Sequence, residues 1–193
     1  MKLNLRLLLA VGAVAVPATA LSACGGDSVP GNAVAKVGGD AISTNDFNHW
    51  MRVAAISSQG AQPGAKKTAP SIPQPPDFAA CVANKKKTAP KPAKGQPSPT
   101  DAQFKAQCKQ EYEGLRDQVL QFLISAHWIQ GEASDQKVKV TDAEVNKQFQ
   151  QTKKQSFPKE TDYTKFLKDS GMTQDDILFR VKLDTLSNKL REK

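Results

Sequence analysis

The stretch TDAQFKAQCKQEYEGLRDQVLQFLISAHWIQGEASD, residues 100–135, decides the fold. Thr100 followed by Gln103 is a capping-box pair, the start signal of a helix. Phe104, Cys108, Tyr112, Leu115, Val119, Phe122, Ala126, Ile129 and Ala133 then recur at spacings of three and four, which puts them on one helical face. At 1.5 Å per residue this helix is roughly 50 Å long. Between Val119 and Ile129, eight of 11 residues are apolar, so a second face joins midway. This half predicts enclosure by other elements or by a bound partner, and it is the expected centre of the domain.

Upstream, Val34–Val37 and Ala41–Ile42 alternate around Gly38, Gly39 and Asp40, the signature of a small hairpin. Ser43 and Asp46 approximate another capping box. Phe47, Trp50, Met51, Ala54 and Ala55 follow at helical spacing, predicting a helix over about 44–58. Downstream, Thr141 and Glu144 cap a helix with Val145 and Phe149 inward that stops near Phe157 and Pro158. Tyr163, Phe166 and Leu167 define a short helix closed by Gly171. Thr173 and Asp176 cap a last helix, with Ile177, Val181, Leu186 and Leu190 expected inward and Lys193 ending the sequence.

Between the first two helices the composition changes. Residues 60–100 hold nine of the 12 prolines and seven lysines against one acid, Asp77. Such a segment predicts largely extended or disordered chain, with one amphipathic turn at 77–82 if Cys81 is bridged. The formal net charge is +8; six of those charges lie in this stretch and two, Lys2 and Arg6, near the N-terminus. The remainder balances at 18 against 18, so the folded part is close to neutral. Lys85, Lys86 and Lys87 could attract an anionic envelope surface, whereas most charge runs are solvated faces. Cys81 and Cys108 could close a 27-residue loop and stabilise by about 3–4 kcal/mol, or could remain two free thiols.

The first residues read as an address. Lys2 and Arg6 precede an apolar run from Leu7 to Val16 and the small residues Ala18, Thr19 and Ala20, the order of a secretory signal. Leu21, Ser22, Ala23 and Cys24 resemble a bacterial lipobox, in which the thiol of Cys24 is alkylated by diacylglycerol before cleavage. The expected organisation is a signal peptide over 1–23, a tether over 24–32, a helical domain over 33–59 and 101–193, and the insertion over 60–100. The expected location is extracytoplasmic, lipid-anchored at the outer face of the cytoplasmic membrane.

Other chemistries find little support. The histidines are His49 and His127, neither cysteine has a CxxC neighbour, and no metal site or cofactor is expected. There is no GxSxG, Walker loop or dinucleotide turn. Paired acids such as Asp175 and Asp176, or Glu111 and Glu113, fit helix starts and solvated faces. The basic stretch carries one aromatic, Phe78, and so lacks the interleaving of a nucleic-acid binder.

Three segments, VAKVGGDAISTNDFNHW (34–50), LISAHWIQGEASDQKVKVTDAEVNKQF (123–149) and FPKETDYTKFLKDSGMTQDDILFRVKLDTLSNKL (157–190), together resemble the N-terminal chaperone domain of SurA- and PrsA-type foldases. The resemblance implies a mainly α-helical domain with a short N-terminal β-hairpin and a disordered Pro/Lys-rich insertion. It implies a holdase for unfolded or newly secreted polypeptides. In that family a parvulin-type prolyl isomerase domain usually follows; its paired histidines and Gly-Asp-Leu-Gly-like turn have no counterpart here, so no catalytic residue is carried over. The alternatives are the front part of such an isomerase and a structural envelope lipoprotein with a basic surface-binding segment. Candidate client-binding residues are Phe47, Trp50, Met51, Tyr112, Phe122 and Trp128, against core packing as the competing reading of each. One or two of Trp50, Met51 and Tyr112 are expected to border a groove.

Overall fold

The computed structural model describes residues 29–60, 72–93 and 96–193. Strands β1 (Ala33–Val37) and β2 (Asp40–Ser43) form an antiparallel hairpin that pairs Val37 with Asp40 and Ala35 with Ile42. Gly38 takes the positive φ (58°) that so short a turn requires. The hairpin turns Ile42 into the core and leads directly into α1 (Thr44–Gly60), whose start Ser43 caps through a 3.0 Å bond from the Asp46 amide.

Helices α3 (Asp101–Asp135), α4 (Asp142–Ser156) and α6 (Gln174–Arg191) each begin with a complete capping box, at Thr100/Gln103, Thr141/Glu144 and Thr173/Asp176. Each box satisfies backbone donors that a helix start leaves open. Between α4 and α6 lies α5 (Glu160–Ser170), ended by Gly171 at φ 69°. A Cβ at Gly171 would collide with Ile56 Cδ1 of α1, so this cap is also a close approach between two helices.

The main core gathers Ile42, Phe47, Trp50, Met51 and Val53 against Val119 and Leu123 of α3. Helix α1 packs on α3 and touches α5, while α6 packs on both α3 and α4. Having two neighbours gives α6 a broader inward face than one stripe. Leu183 and Leu186 are buried, whereas the expected Ile177, Val181 and Leu190 are half-buried. Along α3 the stripe is buried at Phe104, Cys108, Val119, Ala126 and Ala133, with Leu123 inward and Phe122 half-buried. Trp128, expected within the enclosed half, is 65% exposed.

In the Pro/Lys-rich stretch, residues 79–88 form a helix, α2 (Ala79–Thr88), rather than a single turn. The reason is tertiary: Cys81 is bonded to Cys108 at a Cα–Cα distance of 6.1 Å, and Phe78 is buried beside that bridge against Tyr112. A segment with too little apolar surface to fold alone thus gains a small core from α3. Of the rest of the stretch expected to be extended or disordered, residues 72–78, 89–93 and 96–99 carry no helix or strand, while 61–71 and 94–95 lie outside the described residues, as do the signal segment and Cys24.

Candidate functional site

A cavity of about 400 Å³ opens between α1, α3 and the start of α6. Helix α1 contributes Asp46, His49 and Trp50, at the spacing that aligns side chains on one face. Helix α3 contributes Leu123, Ala126, His127 and Gln130 by the same periodicity. The first turns of α6 bring Asp175, Asp176 and Phe179, and Ile42 of β2 completes the apolar floor.

Asp176 organises one wall. Its Oδ2 accepts from the Thr173 amide (2.7 Å) and the Thr173 hydroxyl (2.9 Å), closing the cap of α6. Its Oδ1 accepts from His49 Nε2 at 2.9 Å, joining α6 to α1. A carboxylate only accepts, so Nε2 is the donor of this bond. The residue is buried and fully partnered, which is what burial of an acid demands.

Trp50 and Phe179 of the lining form an aromatic cluster with Phe122, which does not itself line the cavity; ring centroids are 4.6 Å apart for Trp50–Phe122 and 6.4 Å for Trp50–Phe179. The Arg180 guanidinium lies over Trp50 at 4.9 Å and over Phe122 at 5.0 Å. Desolvation beneath it lowers the Arg180 pKa, with Asp176 opposing, and the group remains cationic at neutral pH.

The six aromatic and Met candidates separate by position. Phe47 and Met51 are buried in the main core, where they pack and do not face the cavity. Trp50 is also buried, and one side of it lines the cavity. Phe122 is half-buried beneath Arg180. Tyr112 borders a second, shallower cavity of about 380 Å³ beside α2, with Pro75, Pro76 and Phe78. Trp128 stands in solvent.

Lys85 pairs with Glu111 (2.6 Å) and Lys86 with Asp101 (2.8 Å), so two of the three clustered lysines are engaged by α3. Among the described residues no group of three or more His, Cys, Asp or Glu side chains could hold a metal ion, and no helix is long and apolar enough to cross a membrane.

Sequence reasoning missed Phe179, and it placed His49, His127, Asp175 and Asp176 without joining them. The available signal was local and partial: Asp46, His49 and Trp50 share a face, and Phe179 follows Asp176 by three. What brings the two faces together is the packing of α6 on α3, separated from α1 by more than a hundred residues.

A family model described as a SurA-like N-terminal domain matches residues 93–191, spanning α3 to α6. No curated protein and no solved structure matches the chain.

Proposed function

The chain belongs to the family of SurA-like N-terminal domains, and from that premise we propose that it is a membrane-anchored, extracytoplasmic chaperone that holds unfolded segments of secreted proteins. The observation that carries this reading is the cavity between α1, α3 and α6. It is open to solvent, floored by Ile42, Trp50, Leu123 and Phe179, and framed by three packed helices. A client segment that buries apolar side chains there gains about 25 cal/mol per Å² and is withdrawn from aggregation without any chemical step. Trp128, exposed on α3 one residue beyond the cavity-lining His127, offers a further apolar contact. The proposed anchor is diacylglycerol on Cys24, which keeps the domain where exported chains emerge.

Light scattering of a chemically unfolded client, diluted with and without the chain, tests the holding activity. Suppression of aggregation at a small molar excess, without nucleotide, is the expected result. Unchanged aggregation at high excess overturns the proposal. The anchor is tested by the mass of the N-terminal peptide of the membrane-extracted protein, expected to begin at Cys24 and to carry a diacylglycerol, against a Cys24→Ala variant expected in the soluble fraction.

A further inference from the structure

The cavity has a polarity that a purely apolar groove would not need. Three carboxylates, Asp46, Asp175 and Asp176, line it, and no lysine or arginine does. Two of the three have structural reasons to be there. Asp46 accepts from the Ser43 hydroxyl (2.7 Å) at the start of α1, and Asp176 closes the cap of α6. Both helices therefore direct their N-termini and a carboxylate at the same opening. Neutral donors do not cancel a carboxylate's charge. Each helix N-terminus offsets about half a unit, so the mouth remains net negative. Asp175 is exposed and makes no hydrogen bond or ion pair among the described residues. Arg180, on the same helix, has its charge placed over the Trp50 and Phe122 rings, where it offsets part of the Asp176 charge and leaves Asp46 and Asp175 as the negative groups of the rim.

An apolar floor beneath an acidic rim matches one kind of side chain, a long aliphatic stem that ends in a cation. We infer that the occupant is an unfolded client segment in which a lysine or arginine neighbours apolar residues. Its methylenes lie along Trp50, Leu123 and Phe179, and its charged head meets Asp46 and Asp175 at the rim. This specificity rests on the chaperone reading above and names its substrate class. The overall charge gives it no help: the folded part is close to neutral and the excess of six positive charges lies in residues 60–100, so a preference for basic peptides arises only from a local site.

The test uses the full-length chain in neutral detergent and three unstructured peptides. They share one aromatic-containing sequence and carry Lys, Gln or Glu at a single position; binding is measured by titration calorimetry. The Lys peptide is expected to bind roughly three- to tenfold more tightly than the Gln peptide, with the Glu peptide weakest. Asp175→Asn and Asp46→Asn are each expected to narrow the Lys/Gln ratio. Asp184→Asn, an exposed change on α6 outside the cavity, is expected to leave the ratio unchanged. Equal binding of all three peptides overturns the basic preference while leaving the chaperone reading in place. A preference that survives both rim substitutions also overturns it, because the selectivity then lies elsewhere. Absence of binding by every peptide, together with no suppression of aggregation, overturns both.

Discussion

Helix α3 supports two groups of neighbours by different means. Over its first turns it holds α2 through one covalent bridge, a single buried phenylalanine and surface ion pairs. Over its second half it holds α1, β2 and α6 through burial of Ile42, Trp50, Met51, Val53 and Leu123. Hydrophobic burial makes a unit whose parts depend on one another; a crosslink holds a segment that has little burial of its own. The cavity belongs to the first kind of unit, so its shape is as stable as the core.

The largest effect expected from this contrast is that of Trp50→Ala. It removes a buried indole from both core and cavity and should lower the stability in chemical denaturation by about 3–5 kcal/mol. Removing the bridge with Cys81→Ser and Cys108→Ser should withdraw about 3–4 kcal/mol of loop-closure stabilisation. Its signature is graded: amide exchange accelerates more in α2 than in α1. Equal acceleration in α1 would show that the two regions are one cooperative unit and that the contrast is false.

Gly171→Ala should cost about 1–2 kcal/mol, through a left-handed backbone and the approach to Ile56. On an Ile56→Val background, which lacks the encroaching Cδ1, the same change should cost less in a double-mutant cycle. The smallest effect lies at the far end of α6, at Lys189 and Glu144. Glu144 is held at about 2, below its ordinary 4.5, first by the hydrogen bond from Lys189 and then by those from Thr141. A depressed carboxylate stabilises above its unfolded pKa, and that contribution is lost as pH falls through about 2. Between these values the melting temperature of the native chain should fall slightly further than that of Glu144→Gln.

The parts of this architecture legible in the sequence are those decided locally. Capping boxes at Thr100, Thr141 and Thr173 form among residues three apart, and the Gly38 turn is likewise self-contained. Apolar spacing placed Val145 and Phe149 inward, and both are buried. The illegible parts need a second element. Helix α2 forms around a bridge whose partner lies 27 residues away. Trp128 is hydrophobic by composition, yet no described helix covers it. Leu183 and Phe179 matter because α6 meets several neighbours, and a single-stripe reading has no room for them. The cavity was invisible for the same reason: each wall is an ordinary helix face, and only their convergence is informative.

The bond between His49 and Asp176 crosses 127 residues of chain. That separation also sets a timetable. The apolar face of α1 is made early, and its covers on α3 and α6 are made later. While the intervening residues are being synthesised, Phe47, Trp50, Met51 and Val53 have nothing of their own chain to rest on. For that interval the nascent protein carries the same unprotected apolar surface that the finished domain is proposed to shelter in others. Until α6 arrives, its own folding is therefore open to the same aggregation.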